Sequence, residues 1–284
     1  MAFLGTGTMG FPMARCLAKN GLEVRAWNRS RERAEPLAEH GAVVLVSPAQ
    51  AADGAGLLVT MLADADAVLD SAADALDSLA PDAIWIQMST IGIEGFERCA
   101  ELARRRGVEL VDAPVLGTRE PAEQGALVVL ASGEDDALRA AGPVFDAVGS
   151  RTLKLGEAGS GTRCKLVVNS WLLGLTSVLA ESISLSEVLG IDPQHLFDAI
   201  EDGPLDVPYA RLKGKAMMAH SFDDVAFKLS LSRKDSHLVL AAAEQEGLST
   251  PVLRAVAERL ERAERDGHGD KDMAATYFAT APDE

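Results

Sequence analysis

The sequence predicts an α/β domain with a doubly wound, mostly parallel sheet, followed by an all-α C-terminal domain. Two observations support this fold class. Over residues 2–155, short apolar runs of strand length alternate with segments of helical periodicity, which is typical of parallel strands joined by helices. After Gly161 the strand-like runs stop, and helical segments are separated by proline and glycine. We therefore place the domains at residues 1–161 and 162–284.

The bulk composition is that of an ordinary globular protein with a strongly acidic surface. Hydrophobic residues make up 48% of the 284 and charged residues 25%. A formal net charge of −16 repels nucleic acids and anionic lipids, so we expect neither as a partner. The longest mostly apolar run, 166–179, is too short to span a bilayer and is interpreted as part of a buried helix.

Cysteine and histidine usage favours a cytoplasmic protein without a metal. The three cysteines form no Cys-x-x-Cys pair, which fits a reduced compartment. The five histidines are scattered without a paired ligand spacing, so we expect no metal site. The chain begins MAFLG, directly in a predicted strand, and we expect no signal peptide.

A glycine-rich turn follows the first predicted strand, 2–5. Its pattern is G-x-G-x-x-G, and a helix is predicted next at 11–20. The glycines permit a tight turn and let a pyrophosphate approach the helix N-terminus, where free N–H groups and the helix dipole favour anions. In this strand–turn–helix context the motif predicts a Rossmann domain that binds a dinucleotide. The predicted cofactor contacts of the turn are Gly5, Thr6, Gly7, Thr8, Met9 and Gly10.

The second strand, 23–27, ends at Asn28, Arg29 and Ser30. Sites for NAD usually place an acidic residue here to bind the ribose 2′-hydroxyl, and this chain has none. An arginine suits a 2′-phosphate, so NADP(H) is favoured over NAD(H), with these three residues as contacts. The alternative is that Arg29 is a surface charge at the start of the next helix.

Alternation continues through the rest of the first domain. Met61 and Leu62 end the strand at 56–62, and Thr90 follows the strand at 83–88. Ligands bind at the carboxyl ends of parallel strands in an open sheet, so all three residues are predicted cofactor contacts. Other strands are predicted at 42–46 and 108–115, and strands at 127–131 and 148–155 are expected to complete the sheet. Helices are predicted between them at 48–53, 65–79 and 94–106.

The helix predicted at 162–189 carries Lys165 and Asn169, which lie four residues apart and therefore on one face. A lysine on so apolar a helix either extends to water or is held near a ligand. The residues alone leave both alternatives open. The later helices are predicted at 193–201, 208–218, 224–247, 251–267 and 270–279.

Five motifs, in order along the chain, resemble those of the β-hydroxyacid dehydrogenase family, which includes 3-hydroxyisobutyrate dehydrogenases and glyoxylate or succinic semialdehyde reductases. FLGTGTMGFPMA resembles the opening signature of the family, and MST at 88–90 resembles the strand end beside the nicotinamide. The segment 112–133 resembles the substrate loop, and GEAGSGTRCKLVVN at 156–169 resembles the catalytic helix. KD at 234–235 and GHGDKD at 267–272 resemble the C-terminal signature, in a domain like that of 6-phosphogluconate dehydrogenases.

The resemblance implies an oxidoreductase that interconverts an aldehyde or keto acid and the corresponding hydroxy compound, and Arg29 favours NADP(H) as its cofactor. Lys165 would exchange the proton with the substrate oxygen, and Asn169 would orient the substrate. Lys234 would join Thr90 as a cofactor contact. The helical domain would take part in substrate binding and in a homodimer or larger homo-oligomer. The implied substrate contacts are Leu116, Gly117, Thr118, Phe227 and Asp235.

One residue departs from the family pattern. Leu116 occupies the position where the family usually has a serine that binds the substrate carboxylate, and leucine has no hydrogen-bond donor in its side chain. Two interpretations follow: Thr118 compensates, or the pocket is apolar and takes a bulkier carbonyl compound. Two other functions are alternatives for this sequence, an imine reductase-like NADPH enzyme and a non-catalytic NADP-binding scaffold. The presence of Lys165 argues against both, since imine reductases usually have aspartate or tyrosine there.

Overall fold

The computed structural model describes residues 1–280, and the chain divides into two compact units, Met1–Lys165 and Leu166–Glu284. The first unit is built on a six-stranded sheet in which every pair of neighbours is parallel. Its spatial order is β3-β2-β1-β4-β5-β6, which confirms the predicted doubly wound fold class. The strands are β1 (Ala2–Leu4), β2 (Arg25–Trp27), β3 (Val43–Val44), β4 (Leu57–Thr60), β5 (Ile84–Gln87) and β6 (Glu109–Asp112).

Helices lie on both faces of this sheet because its central strands are apolar on both sides. Successive residues contribute to opposite layers: Phe3 packs in one buried cluster and Leu4 in the other, as do Ile86 and Trp85. The covering helices are α1 (Gly10–Lys19), α2 (Pro48–Ala52), α3 (Ala65–Leu76), α4 (Gly92–Arg106), α5 (Arg119–Glu123) and α6 (Asp135–Val148).

The strands predicted at 127–131 and 148–155 do not complete the parallel sheet. They form a separate three-stranded sheet of β7 (Val115–Leu116), β8 (Leu127–Ala131) and β9 (Gly149–Lys154), in the order β7-β8-β9. The strand predicted at 108–115 is split because Pro114 has no N–H to continue a ladder. β7 therefore pairs antiparallel with β8. The two sheets are joined where Asp112 and Ser132 exchange backbone hydrogen bonds of 3.0 and 2.8 Å.

The second unit is helical. Between residues 166 and 280 the backbone forms no strand, only an isolated bridge between Lys228 and Asp272. Its core contains Leu173, Ile183, Phe197 and Leu260. The elements are α7 (Ser160–Val188), which begins in the first unit, α8 (Gln194–Ile200), α9 (Pro208–Met218), α10 (Leu229–Gln245), α11 (Pro251–Ala263), a π-helical turn (Glu264–His268) and a 3-10 helix (Met273–Ala279).

α10 begins five residues later than predicted because a buried carboxylate binds the preceding backbone. Asp272 accepts hydrogen bonds from the N–H groups of Ala226 and Phe227, at 3.0 and 3.1 Å. The same carboxylate pairs with Lys213 at 2.7 Å, and both side chains are buried. These contacts hold residues 226–228 outside the helix. The charge pair is satisfied by hydrogen bonds, as a buried ion pair must be.

The helix α7 agrees with the predicted helix 162–189 to within two residues at each end, and it extends beyond the apolar run 166–179 on both sides. Its 29 residues have the length and hydropathy of a membrane-spanning helix, a test that core helices of soluble proteins also pass. One stripe of its surface is exposed and apolar. The stripe comprises Val167, Trp171, Val178, Leu185 and Val188, each more than half exposed.

Candidate active site

The turn after β1 is shaped by close backbone packing at its two ends. Gly5 has a φ of 100°, and a Cβ there would lie 2.2 Å from the carbonyl oxygen of Met61. A Cβ at Gly10 would lie 1.9 Å from the carbonyl oxygen of Gly5. At Gly7 a Cβ would meet nothing within 4 Å. Gly5 and Gly10 therefore allow the backbone segments of the turn to pack closely, whereas Gly7 borders open space before the N-terminus of α1.

The same turn holds a buried hydroxyl that no protein group satisfies. Thr6 is 2% exposed, and its Oγ1 has no hydrogen-bond partner among the residues described. Its backbone N–H donates to Asn28 Oδ1 at 3.0 Å, and Asn28 Nδ2 donates to the carbonyl oxygen of Ser30 at 2.9 Å. Open space at Gly7, an unsatisfied hydroxyl and a helix N-terminus fit the pyrophosphate and ribose of a dinucleotide. Thr8 and Met9 complete the turn.

Arg29 lies at the end of β2 with its side chain exposed. It forms no ion pair within the described part of the chain, whereas Arg31 pairs with Glu35 at 3.1 Å. Arg29 is thus the cation beside Asn28 and Ser30 that a 2′-phosphate can engage.

Hydrogen bonds tie the carboxyl ends of β1, β4 and β5 together. The N–H of Met61 donates to the carbonyl oxygen of Leu4 at 2.9 Å, and the N–H of Leu62 donates to Ser89 Oγ at 2.9 Å. Thr90 directly follows Ser89. The predicted contacts after these strands therefore lie along the same sheet edge as the glycine-rich turn, as parallel strands require. Ser89 was not among the predicted contacts, although it is the middle residue of the MST motif at 88–90.

The segment that resembles a substrate loop leaves the second sheet at β7. Leu116 is half-buried at the end of β7, and Gly117 follows with a φ of 125°. A Cβ at Gly117 would lie 2.7 Å from Leu127 Cδ2, so the chain turns closely against β8. Thr118 precedes α5, and its side chain makes no capping hydrogen bond.

Lys165 is oriented toward this segment. Its Nζ donates a 2.8 Å hydrogen bond to the carbonyl oxygen of Val115, the residue before Leu116. The side chain is half-buried rather than extended along the surface. Of the two alternatives for a lysine on an apolar helix, extension to water alone does not describe Lys165, because its ammonium is bound to the chain at Val115.

The first turn of α7 is bound to the ends of β6 and β8. Asp112 accepts hydrogen bonds from the backbone N–H and the hydroxyl of Thr162, at 2.7 and 2.8 Å. Ser132 Oγ accepts from the N–H of Gly161 at 2.9 Å and donates to Asp112. Burial raises the pKa of the Asp112 carboxyl, and these hydrogen bonds oppose that shift. The residues of this junction, Asp112, Ser132, Gly161 and Thr162, were not among the predicted site residues.

In the second unit, three of the predicted polar site residues lie next to one another. Asn169 Nδ2 donates to Asp235 Oδ2 at 2.8 Å, and Lys234 Nζ lies 3.1 Å from Asp235 Oδ1. Because a carboxylate only accepts hydrogen bonds, the NH2 group of Asn169 faces Asp235, and the Oδ1 of Asn169 faces away from it. That Oδ1 is buried and has no hydrogen-bond partner in residues 1–280. Phe227 lies just before α10, held by Asp272.

The side chains do not assemble a metal centre in the described ranges. No group of three or more His, Cys, Asp or Glu residues within positions 1–280 has ligand geometry. The groups that the structure supplies are a glycine-rich turn, the ammonium of Lys165 at Val115 and the amide–carboxylate pair of Asn169 and Asp235.

Comparisons with known proteins cover nearly the whole chain. Residues 1–156 match the family model for the NAD binding domain of 6-phosphogluconate dehydrogenase, and residues 159–279 match that for NAD-binding of NADP-dependent 3-hydroxyisobutyrate dehydrogenase. Glyoxylate/succinic semialdehyde reductase 1 of Arabidopsis thaliana is 34% identical over 282 residues, which cover 98% of this chain and 97% of the relative. The chloroplastic reductase 2 of that plant is 33% identical over 282 residues, with 98% and 78% covered.

A solved structure shows the same architecture. The 3-hydroxyisobutyrate dehydrogenase of Mycobacterium tuberculosis, in a structure with L-serine, is similar with a TM-score of 0.88 and 28% identity, covering 99% of this chain and 98% of that chain. The similarities in sequence and in structure thus point to the same family as the five motifs of the sequence. The chain belongs to the β-hydroxyacid dehydrogenase family, and it is an NAD(P)-dependent oxidoreductase of the hydroxyacid dehydrogenase type.

Proposed function

We propose that the protein is an NADP(H)-dependent enzyme that interconverts an aldehyde or keto acid and its hydroxy compound, with Lys165 as proton donor and acceptor. The observation that carries this proposal is the 2.8 Å hydrogen bond from Lys165 Nζ to the carbonyl oxygen of Val115. That contact holds the ammonium at Val115, the residue that precedes the segment Leu116, Gly117 and Thr118. The names of the Arabidopsis relatives, which are reductases of glyoxylate and succinic semialdehyde, support the same reaction class.

The division of labour follows from the chemistry. A bound nicotinamide supplies or accepts the hydride, so the chain has to place the carbonyl group and exchange one proton with its oxygen. Lys165 performs that exchange as a general acid or base. Asn169, whose amide is oriented by Asp235, offers its buried Oδ1 to a donor on the substrate. We propose residues 1–161 as the NADP-binding domain and 162–284 as the substrate and dimerisation domain.

Leu116 and Thr118 bear on the substrate class. Leu116 lines the substrate segment without a donor, so a carboxylate finds no partner there. The hydroxyl of Thr118 is not used as a helix cap, so it can take that role. The other interpretation is an apolar pocket that accepts a larger, uncharged carbonyl compound.

The experiment is a panel of substrates assayed by oxidation of NADPH. It contains glyoxylate, succinic semialdehyde, uncharged aldehydes of increasing size and cyclic imines. Turnover of carbonyl compounds supports the proposal. A preference for glyoxylate or succinic semialdehyde indicates that Thr118 compensates for Leu116, and a preference for large uncharged aldehydes indicates an apolar pocket. Turnover of imines alone favours an imine reductase. NADPH binding without turnover of any compound favours a non-catalytic scaffold.

Arg29 is expected to select the phosphorylated cofactor. A charge-assisted contact with the 2′-phosphate contributes about 1.5–3 kcal/mol, or roughly 10- to 100-fold in affinity. Arg29→Asp should therefore raise the KM for NADPH by that factor and change the KM for NADH little. Arg31→Asp is the matched control, since Arg31 pairs with Glu35. A wild-type enzyme that prefers NADH would contradict the assignment.

We propose that a second copy of the chain covers the exposed stripe of α7 in a homodimer or larger assembly. Five large apolar side chains on one helix face are more than half exposed, which is unusual for a surface without a partner. Light scattering should give at least twice the 29.9 kDa chain mass, and Trp171→Glu should reduce it. Val46→Glu, at an exposed position of the first unit, is the control. A wild-type monomer at micromolar concentration would overturn this proposal.

The expected setting is the cytoplasm, with a small-molecule substrate and no nucleic-acid or membrane partner. The net charge of −16 supports the absence of polyanionic partners.

A further inference from the structure

The junction at the start of α7 connects the helix that carries Lys165 to the strand that precedes the substrate segment. Asp112 is fully buried at the end of β6. Its two carboxylate oxygens receive three donors: the N–H and hydroxyl of Thr162 and the hydroxyl of Ser132. Since Asp112 and Thr162 are 50 residues apart in sequence, this is a cap supplied by tertiary structure.

Caps of this kind determine where a helix begins. The first N–H groups of an α-helix have no partner within the helix, and a carboxylate near them is favoured by the helix dipole. In α7, Ser132 binds the N–H of Gly161 and Asp112 binds that of Thr162. The additional hydrogen bond from the Thr162 hydroxyl fixes the rotation of the helix about its axis, because two groups on one residue are held at once.

Close packing removes the remaining freedom at this point. A Cβ at Gly161 would lie 2.3 Å from the carbonyl oxygen of Leu130 in β8. The backbone of α7 therefore lies directly against the second sheet. A shift of the helix along its axis would break the hydrogen bonds of Asp112 and Ser132 together.

Lys165 is held by the same short segment of chain. It follows Thr162 by one helical turn, and its Nζ binds Val115, three residues after Asp112. Residues 112–115 and 162–165 are thus joined at both ends, by a carboxylate at one end and a carbonyl oxygen at the other. We propose that Asp112, assisted by Ser132, is a positioning residue that places the Lys165 ammonium at the substrate segment. This inference rests on the proposed role of Lys165.

Asp112→Asn is the first test, because asparagine has nearly the shape of aspartate. It replaces one acceptor oxygen by an NH2 group, which cannot accept the hydrogen bond that Thr162 or Ser132 donates there. A displacement of about 1 Å costs on the order of 100-fold in rate, so kcat should fall about 10- to 100-fold. The KM for NADPH should stay within about twofold, since the glycine-rich turn is untouched. Circular dichroism and a melting curve report whether the variant is folded.

Thr162 provides a milder variant pair that does not depend on Asp112→Asn folding. Thr162→Val removes the hydroxyl at nearly constant volume, and Thr162→Ser retains it. We expect kcat to fall in the valine variant and to return to within about twofold of wild type in the serine variant. Ser47→Ala, which removes the side-chain cap of α2, is the control and should leave kcat unchanged.

A double-mutant cycle separates positioning from general stability. If Asp112 acts through Lys165, Asp112→Asn should lower the residual rate of Lys165→Ala little or not at all. The same fold-loss in both backgrounds, or equal kcat for the Thr162 valine and serine variants, would overturn the inference. If Lys165→Ala keeps full activity, the proposed function itself fails. If Lys165→Ala is inactive and Asp112→Asn matches wild type, only the positioning role fails.

Discussion

Lys165→Ala is expected to lower kcat for carbonyl reduction by about 10²- to 10⁴-fold, the range for removal of a general acid. The affinity for NADPH should be nearly unchanged, because Lys165 is not among the proposed cofactor contacts at the glycine-rich turn and the strand ends. The structural reason is that the ammonium is bound to the carbonyl oxygen of Val115, within the segment that leads to Leu116. Steady-state kinetics with the best carbonyl substrate and NADPH titration measure the two quantities separately.

Lys165→Arg distinguishes proton transfer from simple attraction of an anion. Arginine keeps the positive charge, but its pKa is too high for it to give up a proton. If Lys165 transfers the proton, both variants lose activity and both bind NADPH. An active arginine variant would leave Lys165 as a binding group only. Arg163→Ala, an exposed cation on the same helix turn, is the control and should behave as wild type.

Local patterns were sufficient to predict the parallel sheet and the dinucleotide turn. Gly5 and Gly10 are required by close backbone contacts, of Gly10 with Gly5 and of Gly5 with Met61 after β4, whereas Gly7 borders open space. The spacing of the three glycines in the sequence is therefore enough to predict the turn. The end of β2 is similar, because Asn28 binds the turn through its own side chain. In both places the residues that determine the local backbone geometry belong to one short motif.

The second sheet and the junction at Asp112 could not be predicted in the same way. Pro114 ends the ladder of β6 and lets β7 turn back onto β8, but the sequence shows only a proline in an apolar run. The carboxylate of Asp112 finds its partners 20 and 50 residues away, in Ser132 and Thr162. From the sequence alone, an aspartate at the end of a strand that caps a distant helix cannot be distinguished from one that binds a ligand. Such assignments depend on tertiary contacts.

Gly10→Ala is expected to lower the free energy of unfolding by about 3 kcal/mol or more, the upper range for overpacking. The added methyl would lie 1.9 Å from the carbonyl oxygen of Gly5 and 2.9 Å from its carbonyl carbon. Both atoms belong to the backbone, so no side-chain rotation relieves the contact. The turn or the start of α1 must move. Urea denaturation of the two proteins measures the loss.

Gly7→Ala is the matched variant in the same turn, and its expected effect is the reverse. A methyl at Gly7 meets no atom within 4 Å, so stability should change by less than about 1 kcal/mol. The methyl would occupy the space that a pyrophosphate needs in order to approach the N-terminus of α1. NADPH affinity should therefore fall about tenfold or more in a variant that is as stable as wild type. If Gly7→Ala binds NADPH as tightly as wild type, the dinucleotide does not lie on this turn, and the open space at Gly7 needs another explanation.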